Sequence, residues 1–97
     1  MNLPTGSNIQ INVIDDAEML RIGKEYKDKD YPTDVLTFNY SKTAGYKKGD
    51  LFGEIYVNKN AAKRQAKENG NTVEQEIAFL VQHSMLHMQG IHHEGDN

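Results

Sequence analysis

The sequence predicts an α+β domain: a small mixed β-sheet with helices packed around it and one long helix at the centre. Three observations predict this class. Short stretches alternate apolar and polar residues with the two-residue period of strands. Between and after them stand segments rich in helix formers, closed by glycine. The last of these segments is apolar over much of its girth, as a buried helix is.

"SNIQINVIDD" opens the chain's first clear element, with Ile9, Ile11 and Val13 alternating with polar residues. That is the pattern of a half-buried strand. Asp15 or Asp16 can cap the helix that follows, "AEMLRIGKEY", whose Met19, Ile22 and Tyr26 fall at i, i+3 and i+7. "KDKDYPTD" is charged and holds Pro32, so it reads as a loop. "VLTFNY" is a second strand, with Val35, Thr37 and Asn39 on one side and Leu36, Phe38 and Tyr40 on the other. "SKTAGYKKGD" is a basic, glycine-containing connection, expected to be mobile, and "LFGEIYVN" is a third strand around Ile55, Tyr56 and Val57. "KNAAKRQAKEN" is a helix that stops at Gly70. "NTVEQEIAFLVQHSMLHMQG" opens on Thr72 and Gln75, a capping-box pair, and ends at Gly90. Its stripe is Val73, Ile77, Leu80, Val81 and Met88, with Phe79 and Leu86 on a second side.

A chain of 97 residues makes one domain, taken here over residues 1–97. It has no cysteine, so there is no disulfide framework, and any metal must be held by nitrogen and oxygen. No apolar run approaches the roughly 20 residues of a membrane span. "MNLPTGSNIQ" lacks the basic start and apolar stretch of a signal peptide, so a soluble cytoplasmic protein is expected. Net charge is −3, which alone counts against a nucleic-acid binder. The distribution says something else. All eleven Lys and Arg lie between Arg21 and Lys67, against six acids there, and from Glu68 onward there are five acids and no Lys or Arg. Such asymmetry sets a basic surface apart from an acidic one.

Every histidine of the chain, His83, His87, His92 and His93, falls in "HSMLHMQGIHH". His83 and His87 are four apart, about 40° around the helix axis, so both imidazoles leave one face. Gly90 can take the positive φ that stops the helix and turns the chain, bringing His92 or His93 back toward the first two. Three imidazoles with one open position are the ligand set of a catalytic zinc. The central helix is thereby expected to bind metal. His83, His87, Gly90 and His93 also match the long zinc-protease spacing, but Ser84 stands where those enzymes keep their glutamate base. A serine cannot take a proton from water at neutral pH unaided, which argues against peptide hydrolysis.

At this point the chain resembles the YbeY family of metal-dependent single-strand endoribonucleases, which act in ribosomal RNA maturation and ribosome quality control. That family's H-G-x-L-H-L-x-G-Y-D-H signature is matched by "HSMLHMQGIHH", and its R-G-K-D-x-P-T-D-V-L-S-F block by "KDKDYPTDVLTF". "GDLFGEIYVNKNAAKRQAKENG" and "TVEQEIAFLVQH" resemble the segments between, so the likeness runs over residues 9 to 93. It implies His83, His87 and His93 as metal ligands, with one zinc ion as the cofactor, although three imidazoles also suit nickel or cobalt. Lys27 stands where the family has an important arginine, which makes it the candidate catalytic residue, a phosphate contact that lacks the planar fork. His92 replaces the family's aspartate and Ser84 its glycine. Family members usually carry an extra N-terminal strand and helix and a helix beyond the signature, so the chain is expected to be a compact variant or a piece of the full domain.

The function implied is hydrolysis of phosphodiesters in single-stranded or ribosomal RNA, with the ribosome as a further partner and neither membrane nor DNA expected. A divalent ion lowers the pKa of a water ligand from about 15.7 to about 7, or polarises a phosphoryl oxygen. The RNA 2′-hydroxyl is an alternative nucleophile. Lys24, Lys29 and the Lys42–Lys47–Lys48 connection would help Lys27 neutralise phosphate, and Tyr26, Tyr31 and Tyr46 stand among them as stacking platforms or packing residues. No general base is evident. Glu76, roughly 10 Å before His83 along the axis, reads as a cap or surface acid of the first turn. Two other classes stay open on sequence: a metal-stabilised assembly factor that binds RNA or ribosomes without cutting, and a minimal metallopeptidase.

Overall fold

In a computed structural model the protein is described over residues 8–88. Six elements follow in chain order: β1 (Asn8–Ile14), α1 (Asp16–Tyr26), β2 (Val35–Asn39), β3 (Leu51–Asn58), α2 (Lys59–Asn69) and α3 (Val73–Met88). The three strands form one mixed sheet in the order β1-β3-β2, with β1 parallel and β2 antiparallel to the central β3. This is the α+β class the sequence predicts.

The register separates two faces. Ile11 and Val13 pair with Ile55 and Val57, and Thr37 and Val35 meet the same two residues from the other side. That face packs on the helices α2 and α3, where Ile55, Val57, Ala62, Leu80 and Met88 form the larger core cluster. On the opposite face Leu36 packs with Met19 and Ile22 of α1, flanked by Ile14, Phe38 and Tyr56. The expected burial of β1 holds only for Ile9, which packs on the larger cluster; Ile11 and Val13 are about half exposed because β1 is an outer strand, and Asn12 and Ile14 are the less exposed neighbours. Tyr26, expected on the inner side of α1, is 61% exposed in its last turn.

The helix ends are set by local hydrogen bonds. Asp15 caps α1 by accepting from the Glu18 amide (2.9 Å), which settles the choice between Asp15 and Asp16. Gly70 ends α2 at φ 70°, the left-handed conformation a glycine adopts at no steric cost. Thr72 and Gln75 exchange the two reciprocal capping bonds, 2.8 and 3.1 Å, at the start of α3. Glu76 is not a surface acid. It is 3% exposed, and its Oε1 accepts from the side chains of Asn69 (3.2 Å) and Asn71 (2.8 Å), tying the end of α2 to the start of α3. Nor is α3 buried all round: Glu76, Leu80, Ser84 and Met88 face inward, whereas Phe79 is 62% exposed.

The far end of α3 is fastened to the sheet. Asn39 Nδ2 donates to the Met88 carbonyl (3.3 Å), and the Met88 side chain lies against Gly53 of the central strand. A Cβ at residue 53 would stand 2.5 Å from the Phe38 carbonyl oxygen and 2.8 Å from Met88 Cε. The methionine tip can swing away; the strand backbone cannot. Gly53→Ala is therefore expected to destabilise the domain by about 1–3 kcal/mol, read as a lower urea midpoint.

Candidate functional site

One face of α3 presents His83 and His87, whose ring centroids are 4.8 Å apart at an interplanar angle of 59°. The i, i+4 spacing causes this proximity. Two imidazoles on one tetrahedral zinc, each with nitrogen about 2.0–2.1 Å from the ion, would have centroids roughly 5 Å apart. The pair thus suits a shared ion. His83 is also stacked with Phe79, with centroids 6.3 Å apart and planes at 16°. Gly90, His92 and His93 lie outside the described residues, and among the described ones no group of three potential ligands comes together.

The two histidines line an open cleft of about 740 Å³. Helix α3 contributes His83, Ser84 and His87 to it, α2 contributes Arg64, and the loop from α1 to β2 contributes Lys27 and Lys29. The sequence-derived lysine and the two described histidines are therefore brought to one cavity, although 56 residues separate Lys27 from His83 in the chain. Lys24 and the Lys42–Lys47–Lys48 connection are not among its lining residues; nor are Tyr26 and Tyr46, while Tyr31 is, at 53% exposure.

Lys27 is the C-cap of α1, its amide donating to the Gly23 carbonyl (3.0 Å), and not simply a loop residue. Its Nζ lies 4.8 Å from the centroid of Phe38, whose negative ring face attracts the ammonium. Burial first, then the neighbouring Lys29 charge, lower its pKa below the ordinary lysine value. Ser84, on the same helix as the histidines, is buried and lines the cleft, and its Oγ has no hydrogen-bond partner among the described residues.

Arg64 was not foreseen from the sequence, where it is one of several cations in an exposed helix. Its two terminal nitrogens grip the Asp16 carboxylate at 3.1 and 3.2 Å. The Arg64 hydrogen bond, followed by that from Asn58, holds Asp16 below the usual carboxylate range. Asp34 braces the cleft wall, accepting from the Val35 amide (2.8 Å) and from Gln65 Nε2 (3.2 Å). Lys27, Lys29 and Arg64, with Asp34 and Glu68 among them, share this open cavity with the histidine pair, an arrangement that offers both imidazoles for a metal ion and ammonium groups for a phosphate.

Known proteins are similar to this chain in sequence and in fold. A curated endoribonuclease YbeY from Malacoplasma penetrans is 39% identical over 88 residues, covering 91% of this chain and 58% of the relative. One from Sulfurihydrogenibium sp. is 41% identical over 86 residues, covering 89% and 56%. The solution structure of TM1509 from Thermotoga maritima superposes with a TM-score of 0.61 at 31% identity, covering 94% of this chain and 57% of that one. The chain thus spans less than two thirds of the length of these relatives. The family described as Endoribonuclease YbeY matches residues 1–97, the full extent of the sequence, and this protein belongs to that family.

Proposed function

We propose that the chain forms the metal-holding core of an endoribonuclease that hydrolyses single-stranded RNA, with ribosomal RNA as substrate, in the cytoplasm. The observation that carries this reading is the single cleft that joins His83 and His87 to Lys27, Lys29 and Arg64. His83, His87 and His93 would hold one zinc ion, the third ligand coming from the family resemblance. The ion, when bound, supplies Lewis-acid stabilisation and makes water acidic enough to ionise near neutral pH. The chain's own residues do the rest. Lys27 and Lys29 neutralise the scissile phosphate and stabilise charge gathering on its oxygens at the wall of the open cleft. Tyr31 offers an exposed ring on which an unpaired base can stack, which a duplex cannot exploit. Cleavage is expected to weaken steeply with added salt, since phosphate contacts carry the affinity.

Metal analysis of the purified protein, joined to a cleavage assay on unpaired and duplex RNA, tests the reading. About one zinc per chain and loss of single strands only, abolished by chelator, are expected. Cleavage that survives chelation would overturn it. Lys27→Ala is expected to lower cleavage by about 100-fold with metal content intact, and Lys27→Arg to keep or raise it by restoring the planar fork.

A further inference from the structure

The sheet face opposite the cleft, where α1 packs, carries a second cavity of about 280 Å³. Four aromatic rings, Tyr26, Phe38, Tyr40 and Tyr56, line it together with Ile22 and Glu54. Phe38 meets Tyr26 and Tyr56 at centroid distances of 5.9 and 5.6 Å and interplanar angles of 87° and 82°. Rings at right angles form adjoining walls instead of a filled stack.

Glu54 stands among these walls, half-buried. Its Oε1 accepts from the Tyr40 hydroxyl (2.7 Å) and its Oε2 from the Tyr56 hydroxyl (2.9 Å). Burial, followed by the Glu54 hydrogen bond, pushes the Tyr40 hydroxyl up to about 12, so it remains a donor at physiological pH. Two neutral donors orient the carboxylate but do not cancel its charge. Among the described residues no Lys or Arg pairs with it: Arg21 is bound to Glu18 and Glu25 along α1, and Arg64 to Asp16. Lys27 reaches Phe38 but lines the histidine cleft, not this pocket.

A half-buried carboxylate without a counter-ion and several ring faces with negative quadrupoles both favour a cation. The walls decide which kind. A metal ion of the calcium or magnesium type needs six or more oxygen ligands, and here one carboxylate has both oxygens already engaged. A weakly hydrated organic cation loses little on leaving water and gains dispersion contact with the rings. The cavity is also below the roughly 300–1,000 Å³ usual for larger ligands, so it accepts a small head group.

We propose that this aromatic pocket around Glu54 binds a quaternary ammonium or guanidinium group. The site is separate from the histidine cleft and does not depend on the nuclease reading. Nuclear magnetic resonance of the labelled full chain tests it, by titration with tetramethylammonium, with ethylguanidinium and with neopentyl alcohol as a neutral isostere. An acetylated Ala-Arg-Ala amide peptide forms a fourth arm. Saturable shifts confined to Ile22, Tyr26, Phe38, Tyr40, Glu54 and Tyr56 are expected with the cations and not with the alcohol. A peptide that binds at least about tenfold tighter than ethylguanidinium identifies a partner's side chain as the source. Equal or weaker binding of the peptide identifies a free small cation. Glu54→Gln is expected to weaken cation binding about tenfold or more, and Tyr26→Ala, at a position 61% exposed, by a smaller factor in the same direction. Absence of saturation, equal binding of the neutral alcohol, or unchanged affinity in folded Glu54→Gln and Tyr26→Ala would overturn the proposal.

Discussion

His87→Ala is expected to remove metal and RNA cleavage together. Its ring is 4.8 Å from that of His83 on the same helix face, so taking it away leaves one described imidazole where two converge. Loss of residues that merely orient metal ligands already costs roughly 10–100-fold in affinity or activity, so loss of a ligand should exceed about 100-fold in both. Zinc per chain and the rate of single-strand cleavage are the paired readouts. His83→Ala should behave alike, and each variant should melt at the temperature of the chelated parent protein, because stabilisation by bound metal is lost in all three. A folded His87→Ala that keeps its zinc would show that the ion is held elsewhere.

Asn58→Ala is expected to be the most damaging single change to stability. Asn58 is wholly buried and its side chain makes four hydrogen bonds. Oδ1 caps α2 by accepting from the amides of Asn60 (3.0 Å) and Ala61 (3.3 Å). Nδ2 donates to Asp16 Oδ1 (2.7 Å) at the start of α1 and to the Thr33 carbonyl (3.1 Å) before β2. Loss of the cap costs about 1 kcal/mol and the Thr33 carbonyl left without its donor about 1–3 kcal/mol more, for a total of about 3 kcal/mol, while Asp16 keeps Arg64. In a domain of this size that lowers Tm by roughly 12–24 °C, measurable by circular dichroism. Asn58→Asp separates the two contributions: it can keep the cap but sets a second carboxylate against Asp16, so the variant should stay destabilised at neutral pH.

What was legible in the sequence is what local bonds determine. Gly70, Thr72 and Gln75 mark the ends of α2 and α3 because their partners lie within a few residues. His83 and His87 were legible for the same reason, since a helix alone brings positions four apart together. The parity of β2 was readable from alternation. Sheet order was not, because nothing in a strand's own residues says that β1 runs beside β3 in the same direction. Glu76 was misjudged because acids in first turns are usually solvated; its burial depends on Asn69 and Asn71 folding back over it. Arg64 was missed because the partner that orients it, Asp16, is 48 residues away. Lys27 came from family resemblance, since a lysine in a charged stretch has no pattern of its own.

The close seat of Met88 on Gly53 has a consequence for the two imidazoles. His87 is the residue next to Met88, so whatever lifts that end of α3 off the strand tilts the rings with it. A methyl at position 53 would press on the Phe38 carbonyl, in the strand whose next residue, Asn39, holds the Met88 carbonyl, so the end of α3 would shift with that strand. Through that tie the smallest residue of the middle strand is expected to govern where His83 and His87 stand, and zinc per chain in Gly53→Ala reads it out.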